Sequence, residues 1–257
     1  MSGAVASRRA LPLLAAGLLA LACGGKPHAP GPVMLAADSV FRTAMRQYRR
    51  GDFSSARENF ALVLTNPGSD PLAAEASYYQ AECDFADGLY LEAARAFRRV
   101  ADEHASHPLA PDALLRAGDA QAQLWQDPEL DPEYGQAATS TYRELVARFP
   151  DSRAAQRAAM KLVRLADMFA DKDYRSGRFY QRLKAYDSAI LYFRGVVADY
   201  PQSRYAPQAL LRLVEIYRVL NYADERRDTC DHLHRYYPQT AGLSQACPAP
   251  ADSASGR

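Results

Sequence analysis

The sequence predicts an all-α chain, an α-solenoid of about five stacked helix pairs with an elongated helix in the fourth. Three observations predict it. A motif of aromatic, glycine, aromatic, alanine and phenylalanine recurs at fixed spacing, each copy runs into a proline, and residues 152–182 hold no proline and a single glycine. The composition agrees, since 48% apolar and 24% charged residues are the proportions of a chain that folds.

The first 22 residues read as a lipoprotein signal peptide. Arg8 and Arg9 supply the positive start, and residues 10–22 follow as an uncharged run of 13. That length suits a secretion signal and falls short of the roughly 20 residues that span a bilayer. The run ends Leu19-Ala20-Leu21-Ala22-Cys23-Gly24, which resembles a bacterial lipobox with Ala20 in the place where Leu is usual. The resemblance makes Cys23 the lipidation site, its acyl chains holding the chain to a membrane. An ordinary signal cleaved after Ala22 is the alternative. No Asp follows Cys23, which by the same resemblance directs the chain to the outer membrane, facing the periplasm. Residues 23–36, rich in Gly and Pro, read as a tether.

The repeat begins after the tether. Tyr48, Gly51, Phe53, Ala56 and Phe60 match Phe85, Gly88, Tyr90, Ala93 and Phe97 at the same intervals, and Tyr186, Ala189 and Phe193 form a shorter third copy. A small residue near the start of the second helix lets two helix backbones approach, and the Phe one turn later fills the space beside it. Gly51 and Gly88 suit the left-handed turn between the helices. The prolines of Asn66-Pro67, His107-Pro108, Phe149-Pro150, Tyr200-Pro201 and Tyr237-Pro238 end each pair, because the residue before proline avoids the helical region. The arrangement resembles the tetratricopeptide repeat, whose pairs must stack to bury their apolar faces.

The period is uneven. The crossing alanine steps by 37 from Ala56 to Ala93, by 45 to Ala138 and by 51 to Ala189. The first excess falls in residues 126–135, a proline-punctuated insertion inside the third pair. The second is helical: Ala159, Leu162, Val163, Ala166, Phe169, Ala170, Tyr174, Gly177 and Tyr180 form a stripe at helical spacing. The expected organisation is three pairs over 37–151, two over 152–239, and a disordered tail over 240–257. In the fifth pair Arg226 stands near the crossing position, as befits a terminal repeat that caps the stack.

His107-Pro108 followed by Asp112 and Gly118, Asp131-Pro132 leading into Ala137-Ala138, Phe149-Pro150-Asp151-Ser152, and Arg178-Phe179-Tyr180 near the end of the long helix together resemble the BamD family of outer-membrane β-barrel assembly lipoproteins. The resemblance covers about residues 37–238. It implies a scaffold of the barrel-assembly (BAM) complex, without cofactor or catalytic site. The early pairs would receive unfolded outer-membrane proteins, and the later pairs would dock a BamA-like barrel protein with periplasmic domains. Phe41, Met45, Tyr48, Glu75, Tyr78, Glu82 and Phe85 are the candidate groove residues, the alternative being that the aromatics among them are core. Asp173 and Arg178 are the candidates for partner docking; Asp173 is otherwise half of a buried pair or a solvated gap in the stripe. A repeat lipoprotein serving Tol-Pal or peptidoglycan machinery is the second functional reading.

Composition and motifs exclude several chemistries. Net charge is +1, and removing the two leader arginines leaves a slight acidic excess, so there is no electrostatic footprint for nucleic acid. No phosphate loop, nucleophile elbow or HExxH motif occurs. Asp127, Glu129, Asp131 and Glu133 alternate like a calcium loop but lack its turning glycine. Cys230 and His234, one helical turn apart, lack a second ligand pair for zinc. A Cys230–Cys247 disulfide fits an oxidising compartment better, leaving Cys83 as a buried free thiol.

Overall fold

In a computed structural model, residues 36–66 and 70–248 are described, and among them every regular element is a helix. Five antiparallel pairs run in chain order: α1 (Ala37–Arg49) with α2 (Phe53–Leu64), α3 (Asp70–Ala86) with α4 (Tyr90–Glu103), α5 (Ala110–Gln123) with α6 (Glu133–Arg148), α7 (Arg153–Arg182) with α8 (Tyr186–Asp199), and α9 (Ala206–Leu220) with α10 (Ala223–Tyr236). A short α11 (Leu243–Ala246) closes the array. From α1 to α10 each helix packs on the next, α11 packs on α9, and first helices also meet one another, α1 with α3, α5 with α7 and α7 with α9. The signal peptide, Cys23, the tether to residue 35 and Pro67 lie outside the described residues.

The crossing positions are where the repeat predicts them. Ala56, Ala93, Ala138 and Ala189 are fully buried, and one turn later Phe60, Phe97, Tyr142 and Phe193 are buried with them. Tyr142 and Phe193 lean on glycines of the preceding first helix. A Cβ on Gly118 would stand 2.4 Å from the Tyr142 ring, and one on Gly177 would stand 2.7 Å from Phe193. The turn within a pair is left-handed at Gly51 (φ +80°) and Gly88 (φ +79°), where glycine has no Cβ to clash. Lys184 and Asn221 hold the corresponding place in pairs four and five at φ +59° and +60°; Asn tolerates this region through its short polar side chain.

The insertion of pair three is tied down on both sides. Trp125 is buried against Gly135 and Phe169, its ring 4.5 Å from the latter. Lys172 of α7 donates to the carbonyls of Pro128 and Leu130, each at 3.1 Å. The long helix is 30 residues, capped by the Ser152 hydroxyl accepting from the Ala155 amide, and extends roughly 45 Å at 1.5 Å per residue. It belongs to two cores: Ala154, Ala158 and Leu165 join that of pairs two and three, and Ala170 and Tyr174 join that of pairs four and five. Phe169 lies at the seam, stacked on Tyr200 at 6.2 Å.

Two expectations need correction. The stripe on α7 is not continuous core, because Ala159 is exposed and Val163 is 60% exposed; Ala155, Ala158 and Leu165 face inward there instead. Nor is the tail disordered from residue 240. Leu243 and Cys247 are buried in the last core, Cys230 and Cys247 form a disulfide, and His234 Nε2 lies 3.0 Å from the Cys247 carbonyl. Cys230 stands four residues after Arg226, where other pairs carry their aromatic, so the bonded tail covers the face that a large ring covers elsewhere.

Gly177→Ala should lower stability by about 1–3 kcal/mol through overpacking against Phe193. Combined with Phe193→Leu it should cost less than the sum of the two single changes, because both act on one contact. Thermal unfolding followed by circular dichroism would measure this. Additive losses would mean that the contact does not exist.

Candidate functional site

The first helices of pairs two and three share a polar seam inside an otherwise apolar stack. Glu82 on α3 accepts from Arg116 on α5 through both carboxylate oxygens, Nε and Nη2 each donating at 2.6 Å. The Arg116 guanidinium lies over the Phe85 ring, 3.9 Å from its centroid, so a cation–π contact adds to the ion pair. Burial opposes the guanidinium charge, but the Glu82 carboxylate outweighs it and holds the Arg116 pKa above its ordinary value. The seam continues to Asp119, 3.6 Å from Arg116 Nη1, which accepts from the Tyr142 hydroxyl at 2.6 Å and pairs with Lys161 of α7 at 3.0 Å. Glu82, Arg116, Asp119 and Lys161 thus link α3, α5 and α7 by side chains alone.

Four of the seven candidate groove residues gather at this seam. Tyr78 lies beside Glu82, and burial, then the Glu82 charge, push its phenol far up. Tyr48 is raised for the same reasons in the same order; it packs edge-on against Phe53 and Tyr79. Glu82 and Phe85 are held by Arg116. The other three lie apart: Phe41 packs on Phe60 at 5.7 Å, Met45 on the first core, and the half-buried Glu75 makes no ion pair among the described residues. Arg116 and Asp119 were missed by sequence reasoning. Their signal is two charges inside Leu114-Leu115-Arg116-Ala117-Gly118-Asp119-Ala120, a run whose apolar members are all buried.

A second surface surrounds the far half of α7. A cavity of about 710 Å³ is lined by Arg175, Arg178 and Arg182 together with Phe179, Tyr180 and Tyr192, among others. Tyr180 and Tyr192 stack at 5.4 Å, and Phe179 is 49% exposed. Arg175 is occupied by Asp171, which accepts both its Nε and Nη2, and by Glu129 of the insertion. Arg178 and Arg182 have no acidic partner among the described residues. Asp173 does not join Arg178. It is half-buried on the side facing Asp199 and Tyr200, where burial first, then the Asp199 charge, lift its carboxyl above the usual range. The buried acid on this helix is Asp171, 8% exposed, and its partner Arg175 is exposed.

Neither surface offers a reaction centre. Among the described residues no group of three or more His, Cys, Asp or Glu is placed to hold a metal, and Asp127 and Asp131 instead accept from backbone amides two residues on. The Cys83 thiol is buried; burial, then the Asp84 charge, push its pKa up to about 12. Two measurements test these assignments. Arg116→Met should cost about 3 kcal/mol by stranding a buried carboxylate, whereas Arg116→Met with Glu82→Leu should lie closer to the parent than either single change; denaturant titration of the three variants would reveal a seam of no consequence if all melted alike. Cys83 should resist a thiol reagent at about pH 8 in the native chain and react fully once unfolded, since only the thiolate attacks. Equal rates in both states would place it at the surface.

The YfiO family, described as an outer membrane lipoprotein, matches residues 35–233. Similar proteins share the name outer membrane protein assembly factor BamD. That of Neisseria gonorrhoeae is 28% identical over 168 residues, 61% of each chain, so the match spans about three fifths of that relative's length. That of Rickettsia prowazekii is 23% identical over 234 residues, covering 91% of this chain and 93% of its own. That of Caulobacter vibrioides is 23% identical over 207 residues, 80% and 68% of the two chains.

Proposed function

From the premise that the chain belongs to the YfiO family of outer membrane lipoproteins, we propose that it is a scaffold of outer-membrane protein assembly, lipid-anchored through Cys23 at the periplasmic face. The observation that carries this is the extent of the family match, which takes in all but the last helical turn of the five pairs, irregular steps included. The similar proteins are named as assembly factors, and the chain works as they would by binding, not turnover. No described helix is long and apolar enough to cross a membrane.

The two surfaces divide the work. The seam of Tyr48, Tyr78, Glu82, Phe85 and Arg116 offers half-buried aromatic rings beside a held cation, which suits an extended segment of an unfolded outer-membrane protein. The rings are half-buried and held in T-shaped contacts, so a segment meets a preformed surface and binding costs little ordering of the scaffold. The Arg178–Arg182 cavity presents two unpaired guanidinium groups and an exposed Phe179, a combination suited to an acidic, apolar patch on a folded partner. We assign it to a BamA-like barrel protein with periplasmic domains.

Cys23→Ser should leave the chain unacylated and release it from the membrane fraction on cell breakage. Affinity purification of the parent from membranes should recover a large barrel protein with periplasmic domains, and Arg178→Glu with Arg182→Glu should reduce that recovery by about tenfold or more. Recovery of Tol components in place of a barrel protein would overturn the reading.

A further inference from the structure

Where α6, α7 and the α8–α9 turn meet, a cavity of about 330 Å³ opens beside the Phe169–Tyr200 stack. Its floor is apolar: Leu162, Val163, Ala166 and Phe169 of α7, with Tyr200 and Pro201 of the turn. Leu162, Ala166 and Phe169 are half-buried, and Val163 stands 60% exposed at the mouth. Ser203, 6% exposed, contributes to the wall, and its hydroxyl has no hydrogen-bond partner.

The rim carries an unbalanced charge. Asp167 and Asp199 line the cavity against a single cation, Arg143. Asp167 accepts from the Arg204 backbone amide and makes no ion pair, and Asp199 and Arg143 make none either among the described residues. Asp173 adds a third carboxylate nearby. Its pKa is raised by burial and by Asp199, and Tyr200 is raised by burial and then by Asp173 and Asp199, as expected where acids crowd a half-buried surface.

We propose that this cavity is a docking pocket for a protein segment that presents an aromatic side chain next to a lysine or arginine. The volume is at the lower end for a binding pocket and suits one ring with the backbone that bears it. The ring would cover the bare stretch of α7, and the adjacent cation would answer the acidic rim. The pocket is distinct from both surfaces assigned above and stands without them.

Methyl resonances of Leu162 and Val163 report directly on occupancy, and the full chain in detergent is the object to use. The probes are acetyl-Phe-Lys-amide, acetyl-Phe-Glu-amide and acetyl-Gly-Lys-amide. Only the first should shift both methyl signals saturably. Its affinity should fall by about fivefold in Asp199→Lys, a reversal at an exposed position, and binding should vanish in Val163→Lys, with both variants melting as the parent does. The proposal is overturned if the Phe-Glu peptide shifts the signals equally, if no peptide saturates, or if Asp199→Lys binds as the parent does. It is also overturned if the signals move with protein concentration alone, which would make a second copy the occupant.

Discussion

The array rests on one motif that recurs in four pairs, a buried ring of the second helix with a buried small residue of the first, seen in direct contact at Gly118 with Tyr142 and Gly177 with Phe193. Two helix backbones come close only where a side chain is absent or nearly so, and the ring one turn on then fills the wedge that the crossing leaves. Ala44 with Ala56, Ala81 with Ala93, Gly118 with Ala138 and Gly177 with Ala189 supply the small pairs, all buried. Phe60, Phe97, Tyr142 and Phe193 supply the rings. Interiors are close-packed and bistable rather than soft, so each such contact sets the direction of the next pair instead of merely adding stability. The fifth pair shows the rule by its exception. Val214 and Arg226 occupy the small positions and Cys230 the ring position, and the stack ends there, closed by a disulfide to the tail.

Much of this was legible in the sequence, because the second-helix alanine and ring recur with turn residues around them. The matching residue of the first helix is not legible in the same way, although it precedes its partner by twelve residues at Ala44, Ala81 and Gly177, and by twenty at Gly118, where the insertion intervenes. A small residue in an alanine-rich chain carries little contrast, and only the pairing makes it informative. Arg116 was invisible for a different reason. A charge in a buried run is explained by its partner, and Glu82 lies 34 residues away on another helix. Periodicity reports which residues share a face but not which faces meet. The same limit misassigned Ala159 and Val163: their stripe is real, but no helix covers that part of it.

The seam and the crossing contacts depend on each other. A buried carboxylate and guanidinium gain little net stability over apolar residues of equal size, so Glu82 and Arg116 do not explain why pairs two and three stack, which they do through α4 and α5. They make the packing specific, since a shift along either helix would strand a charge. The rings of Phe85 and Tyr78 are then fixed by contact with that pair. Geometry set by backbone approach is thus read out at the surface as an ordered set of aromatic faces, which a flexible groove would have to assemble at the moment of binding.

The long helix shows how the array departs from regular repetition without losing register. Between successive first-helix small positions the chain advances 37 residues at three steps and 59 at the remaining one, from Gly118 to Gly177. Eight of the extra residues are the insertion, and the other fourteen lengthen α7. Fourteen residues are close to four turns at 3.6 per turn. The far end of α7 therefore presents nearly the same face as its near end, and Ala170, Tyr174 and Gly177 receive α8 much as Ala154, Ala158 and Leu165 meet the pairs before them. An addition of twelve residues would have turned that face by about a third of a revolution. The added turns carry the last two pairs about 21 Å further along the helix and leave a bare stretch of α7 between the two cores. The insertion reaches over to α7 through Lys172, Arg175 and the Trp125 ring, bracing the span that no helix pair supports. One lengthening thus separates the two assigned surfaces and exposes the apolar floor between them, while a single unbroken helix keeps both halves in fixed relation.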